Sequence, residues 1–222
     1  MESVSKKNNF IYLVVSLVAL LLVGALVSQF PSALGQHIFQ AVSVVTLAMS
    51  TFGFRYARLR LQTSIVFTLS VLIIVLLGVF LNANGMSSLH LFVLIIFYLW
   101  MTWLAAKQIL FSGHVDGNKV VGAISIYLLI GLIWALLYLF IAQTIPGAFN
   151  GLEQRLWYDN FADGAYFSFV TLTTLGYGDI SPVVPIARFL VYMEAIVGVF
   201  YLTILVASLI GIRISTLHKD HE

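Results

Sequence analysis

Residues 171–182 read TLTTLGYGDISP, and they stand between stretches that are almost pure hydrocarbon. Just upstream, FADGAYFSFVTLTT (residues 161–174) is apolar but only about 14 residues long. That is too short for a helical crossing, which needs roughly 20 residues. A short apolar segment followed by two glycines, a tyrosine and an aspartate matches a re-entrant element, one that enters the bilayer and leaves by the same face. Backbone outside a helix cannot face lipid, because each unsatisfied amide or carbonyl there costs several kcal/mol. It must line water or be buried in protein. Gly176 and Gly178 allow positive φ at alternate positions, and alternating handedness lets successive carbonyls point the same way.

The rest of the chain supplies the solvent for such an element. Of its 222 residues 61% are hydrophobic and 9% charged, and mean hydropathy is +1.03. A water-soluble domain carries about a quarter charged residues, so an all-α integral membrane protein in a lipid bilayer is expected. Cysteine is absent, which excludes disulfides, thiolate metal sites and cysteine nucleophiles. The formal charge of +2 is too small to suggest nucleic acid. No HExxH, GxSxG or paired carboxylates occur in the apolar stretches, so neither an enzyme nor a cofactor is expected.

Six stretches are long enough to cross: residues 10–29, 36–54, 61–81, 89–111, 120–143 and 185–211. The first follows Lys6 and Lys7 but is longer than the apolar core of a signal peptide, and is read as a retained helix. Lys6 and Lys7, then Arg55, Arg58 and Arg60, then Lys107 and Lys119, then Arg213 and Lys219 fall on one side. The connections around Pro31 and around residues 82–88 hold no Lys or Arg. By the positive-inside rule both termini are cytoplasmic. The long fifth connection, residues 144–184, faces outside; its opening part, TIPGAFNGLEQRLWYDN, is polar and turn-rich. Asn160 followed by Asp163 reads as a capped helix start with an acid in the first turn. Trp157 and Tyr158 read as interfacial anchors.

TLTTLGYGD resembles the signature of the tetrameric potassium channel family, whose commonest filter is T-V-G-Y-G. The resemblance covers residues 120 to about 211: outer helix, pore helix, filter and inner helix. Five fixed residues at about 1 in 20 each would arise by chance in a chain of this length with a probability on the order of 1 in 10,000. In that family a ring of carbonyls replaces the water around the ion. The resemblance implies that potassium, the permeant ion, is coordinated by the carbonyls of Thr174, Leu175, Gly176 and Tyr177 with the Thr174 hydroxyl, and that Gly178 closes the outer mouth. Asp179 would fix the filter from behind. Tyr166 and Phe167 match the aromatic pair that braces it; Tyr166 keeps a donor able to reach Asp179, whereas Phe167 has none. Leu175 replaces the usual valine, and Val170 stands where some bacterial members place a glutamate.

Gly198 matches the family's hinge glycine, but a glycine equally serves close helix packing in membranes. Glu194, one turn earlier, either faces a water-filled cavity or bonds a pore-helix hydroxyl such as Thr173. The fourth stretch has His90 and Lys107 near its ends and no arginine, so the first four helices have the topology of a voltage sensor without its charge. His114, His218 and His221 read as solvated cytoplasmic histidines.

The expected architecture is a homotetramer of six-helix subunits, with a pore helix and selectivity filter between helices five and six. Residues 1–115 form a four-helix membrane domain and residues 116–222 the pore domain, with no ligand-binding domain expected after Glu222. The function implied is a potassium-selective, weakly voltage-dependent pore, multi-pass in a bacterial plasma membrane, with no small-molecule substrate other than ions. A weakly selective cation pore and a non-conducting modulatory subunit are the alternatives.

Overall fold

The computed structural model describes residues 9–27, 32–52, 58–81, 84–110 and 117–219. Lys6, Lys7, Arg55, His114 and His221 lie outside the described residues. The order is α1 (Asn9–Val27), α2 (Ser32–Phe52), α3 (Arg58–Leu81), α4 (Asn84–Leu110), α5 (Gly117–Thr144), β1 (Phe149–Asn150), α6 (Phe161–Leu172), β2 (Ser181–Pro182) and α7 (Pro185–Lys219). Over its described residues, each of the six apolar stretches falls on a helix.

Of the six crossings expected, four are long and apolar enough to span within the described residues: Phe10–Val27, Ser87–Ile109, Val120–Thr144 and Pro185–Leu205. On α2 and α3 the described apolar runs are Ile38–Met49 and Ile65–Ile74.

Hydroxyls within these helices satisfy themselves. Ser16 donates to the Leu13 carbonyl at 2.9 Å, Ser43 to Gln40 at 2.8 Å and Ser125 to Val121 at 2.9 Å, so each is buried without a partner on another helix.

The helix α1 packs on α2, α5 and α6, and α4 packs on α5. One buried cluster therefore runs from Phe10 and Leu17 through Leu94 and Tyr98 to Leu129, Leu136 and Phe161, continuous from the first helix to the pore-helix candidate α6. Gly24 of α1 makes room for the Phe161 ring: a Cβ there would stand 2.6 Å from Phe161 Cδ1. The same ring meets Phe39 of α2, centroids 4.5 Å apart. Close approach at small residues is the usual basis of helix packing in lipid, where no hydrophobic drive separates one apolar face from another.

Trp157 is not an interfacial anchor. It is buried, donates its indole N–H to the Ser87 carbonyl at 2.9 Å, and packs edge-on against His90 and Phe39. The loop after α5 is thus bolted to α2 and α4.

Candidate functional site: the 173–179 segment and its supports

The helix α6 starts differently from the expected cap. Asn160 occupies the N-cap position, but its side chain makes no cap bond; its amide donates instead to the Glu153 carbonyl at 2.7 Å. The first turn is closed by the Asn160 carbonyl, which accepts from the Gly164 amide at 2.9 Å, and Asp163 sits in that turn, where an acid is favourable. The Asn160 side chain pins the preceding loop.

At the other end the chain turns back on the helix. Thr174 N donates to Thr171 O at 2.9 Å, and Leu175 N and Gly176 N both donate to Val170 O, at 2.9 and 3.3 Å. Val170 contributes to this turn through its backbone carbonyl. Beyond this turn Thr174, Gly176 and Gly178 have φ of 60, 55 and 83°, and the intervening Leu175 and Tyr177 do not have positive φ. Alternation therefore includes a third left-handed residue, Thr174, which is not a glycine. Among the described residues, the carbonyls of Thr174 through Gly178 accept no hydrogen bond. Leu175 and Tyr177 are 55% and 67% exposed in the single chain.

Behind this segment, the Tyr166 hydroxyl donates to Asp179 Oδ2 at 2.7 Å and the Ile180 amide donates to Oδ1 at 3.1 Å. The Tyr166 hydrogen bond, more than the backbone one, holds the Asp179 carboxyl below the usual carboxylate range. The Tyr166 ring also lies nearly parallel to Tyr177, centroids 6.4 Å apart. Phe167 does not join this group. It is buried between Tyr138 and Phe149, at 5.1 and 5.8 Å, beneath the strand pair in which Phe149 faces Pro182 and Asn150 faces Ser181. Gly151, with φ of 82°, brings that loop onto the Asp179 carbonyl, where a Cβ would clash.

Two residues of α7 meet α5 and α6. Glu194 is fully buried. It bonds the pore-helix candidate, as one of the two readings held, but not at Thr173, whose hydroxyl is returned to Phe169 O at 2.7 Å. The partners are Ser168, with Oγ at 2.5 Å from Glu194 Oε1, and Tyr138 of α5, which donates to Oε2. Gly198 abuts the last residue of α6: a Cβ there would overlap the Leu172 carbonyl oxygen and stand 3.0 Å from its carbon. The helix runs unbroken through Gly198.

Residues 124–214 match the family model described as an ion channel. Over 88 residues the chain is 36% identical to the inward rectifier potassium channel Kirbac3.1 of Paramagnetospirillum magnetotacticum, covering 40% of this chain and 27% of that protein. The match marks residues 124–214 as an ion channel domain similar to that of a potassium channel. The chain spans about a quarter of that relative's length, and no solved structure matches it significantly.

Within the channel domain, sequence reasoning missed Tyr138 and Ser168. They lie 56 and 26 residues from Glu194, on helices whose polar residues look like isolated interruptions. The usable signal was that Glu194 needs partners, and that Ser168 and Tyr138 are among the polar side chains of the neighbouring helices.

Proposed function

We propose that four copies of this chain form a potassium-selective pore, each contributing residues 174–178 to a shared filter. The observation that carries this reading is the run of free carbonyls from Thr174 to Gly178 on a backbone of alternating hand. In a chain this apolar such a run needs water or an ion in front of it. The sparse cover of α7 supports a closed assembly: 11% of Pro185–Leu205 is buried within the single chain, against 50% of Val120–Thr144. One chain supplies one filter segment, so a ring takes several, and the resemblance to tetrameric channels supports four. In this reading α2 and α3 also cross, α6 is re-entrant, both termini are cytoplasmic, and residues 1–115 form a bundle around the pore domain.

Purified protein in liposomes tests it, with potassium flux measured against sodium. Flux of potassium alone is expected. Passage of both ions points to a weakly selective pore, and passage of neither to a modulatory subunit.

Voltage dependence is expected to be shallow. Moving one charge through the field yields about 2.3 kcal/mol per 100 mV, and α4 carries no arginine. Open probability should change little between about −100 and +100 mV in planar bilayers; a curve steep enough for several charges per subunit would overturn this account of α4.

Tyr166→Phe should leave unitary conductance unchanged and speed loss of current during sustained opening, because Asp179 loses its side-chain donor. The pH dependence has a definite sign. The hydrogen bonds depress the folded-state pKa of Asp179, so the support they give is present above the ordinary carboxylate pKa and is lost as external pH falls through the lower, folded value. In Tyr166→Phe that loss should move to higher external pH. An unshifted acid limb in single-channel recordings would remove Tyr166 from this role.

A further inference from the structure

We infer that Glu194 is held as a neutral carboxylic acid and acts as the positioning residue that ties α6 to both α5 and α7. The inference comes from counting hydrogens. Three oxygen pairs lie within hydrogen-bonding reach: Tyr138 Oη with Glu194 Oε2, Ser168 Oγ with Glu194 Oε1 at 2.5 Å, and Ser168 Oγ with Gly131 O at 2.7 Å. Each contact needs one hydrogen between its oxygens. Tyr138 and Ser168 have one each, and the Gly131 carbonyl has none. The third hydrogen can come only from the carboxyl group.

One arrangement satisfies all three. Tyr138 donates to Glu194 Oε2, Glu194 donates from Oε1 to Ser168 Oγ, and Ser168 donates to Gly131 O. An ionised Glu194 would take the Ser168 hydrogen and leave two acceptor oxygens, Ser168 Oγ and Gly131 O, facing each other at 2.7 Å with no hydrogen between them. It would also be a buried charge without a counter-ion, since among the described residues no cationic side chain pairs with it.

The surroundings are built for this neutral chain. Gly131 lets α6 approach so closely that a Cβ would stand 2.5 Å from the Phe169 ring, which brings Ser168 to the Gly131 carbonyl. The titratable groups of α5 facing Glu194 are Tyr138 and Tyr127. From α6 the neighbour is Ser168, which does not titrate; on α7 Arg188 donates to the Pro182 carbonyl and Tyr201 to the Ala123 carbonyl, and neither of them nor Tyr192 bonds Glu194 among the described residues. Loss of the carboxyl proton would therefore break the Ser168 to Gly131 link or the Glu194 to Ser168 link, and with it the seat of α6, whose last turn leads directly into residues 173–179.

Infrared spectroscopy of the purified full chain in lipid tests the protonation directly and does not depend on conduction. The wild type minus Glu194→Gln difference at neutral pH should contain the C=O stretch of a protonated carboxylic acid. It should also be lost at strongly alkaline pH. Should the Gln variant not assemble, Tyr138→Phe serves, since removing the donor to Oε2 should shift that band. An ionised-carboxylate band in the difference, or no shift with Tyr138→Phe, overturns the inference. The functional arm rests on the channel reading above. Gln reproduces the neutral acid, with its amide N–H donating to Ser168 and its carbonyl accepting from Tyr138. Potassium flux should thus be retained in Glu194→Gln, and the decline of flux at alkaline pH expected of wild type should be absent. Flux abolished by Gln in an assembled protein, or an unchanged alkaline limb, would overturn the positioning role. Wild type without flux but with the acid band would sink the channel reading alone.

Discussion

Replacing Gly176 or Gly178 by alanine is expected to abolish potassium-selective flux while leaving the oligomer assembled. The effect is conformational, not steric: a Cβ on either glycine meets nothing within 4 Å of the chain, yet φ is 55° at Gly176 and 83° at Gly178. A left-handed backbone costs an L residue roughly 1–2 kcal/mol. Four copies of one variant therefore bear roughly 4–8 kcal/mol if all keep the geometry. Rotation to negative φ relieves that cost by turning the peptide, which takes a carbonyl out of the coordinating row. Gly147 provides the control, because it too has positive φ, 71°, and open space around it. Gly147→Ala bears a similar local cost in the outer loop and should leave selectivity intact. Liposome flux with potassium and sodium, alongside chemical crosslinking of the oligomer, reads both outcomes. Wild-type selectivity in Gly176→Ala or Gly178→Ala would remove these residues from the ion path.

How much of this was legible beforehand varies with the range of the interaction. Apolar runs announce helices because burial and backbone hydrogen bonding in lipid leave the chain little else to do, and each expected run, over its described residues, lies on a helix. The glycines at 176 and 178 and the donor on Tyr166 are likewise properties of residue type at a local spacing. Thr174 shows where that logic stops: threonine has no intrinsic reason to adopt φ of 60°, and its geometry follows from the turn that returns residues 174–176 onto the end of α6. Trp157 looked like an anchor because aromatics near helix ends commonly are, but its N–H found Ser87, a residue 70 positions away. Glu194 needed partners, which was predictable from its depth in an apolar helix. Their identity required knowing which faces of α5 and α6 meet α7, and apolar periodicity does not encode that in helices that are hydrophobic all round.

Gly198→Ala should reduce both the thermal stability of the oligomer and potassium flux, and it separates packing from hinging. The added methyl would overlap the Leu172 carbonyl oxygen, with the carbonyl carbon at 3.0 Å and Leu172 Cδ1 at 3.1 Å. A side chain can rotate aside, but this obstacle is backbone at the end of α6. Either α7 moves outward, opening space around the buried Glu194 one turn away, or the last turn of α6 moves and carries Thr173 and Thr174 with it. Overpacking of this kind costs about 1–3 kcal/mol in each subunit, and both escapes disturb the support of residues 174–178. A hinge role predicts something else. A helix that bends at Gly198 only during opening would be stiffened by alanine, which favours helix by about 1 kcal/mol over glycine, so open probability would fall while the resting oligomer melted no lower than wild type. The structure favours packing, since α7 is unbroken from Pro185 to Lys219 and the contact at Gly198 is with backbone. Melting of the detergent-solubilised oligomer, compared among Gly198→Ala, Gly198→Val and wild type, decides between them: a graded loss with side-chain size is expected, and an undiminished melting temperature with altered gating would return Gly198 to the hinge.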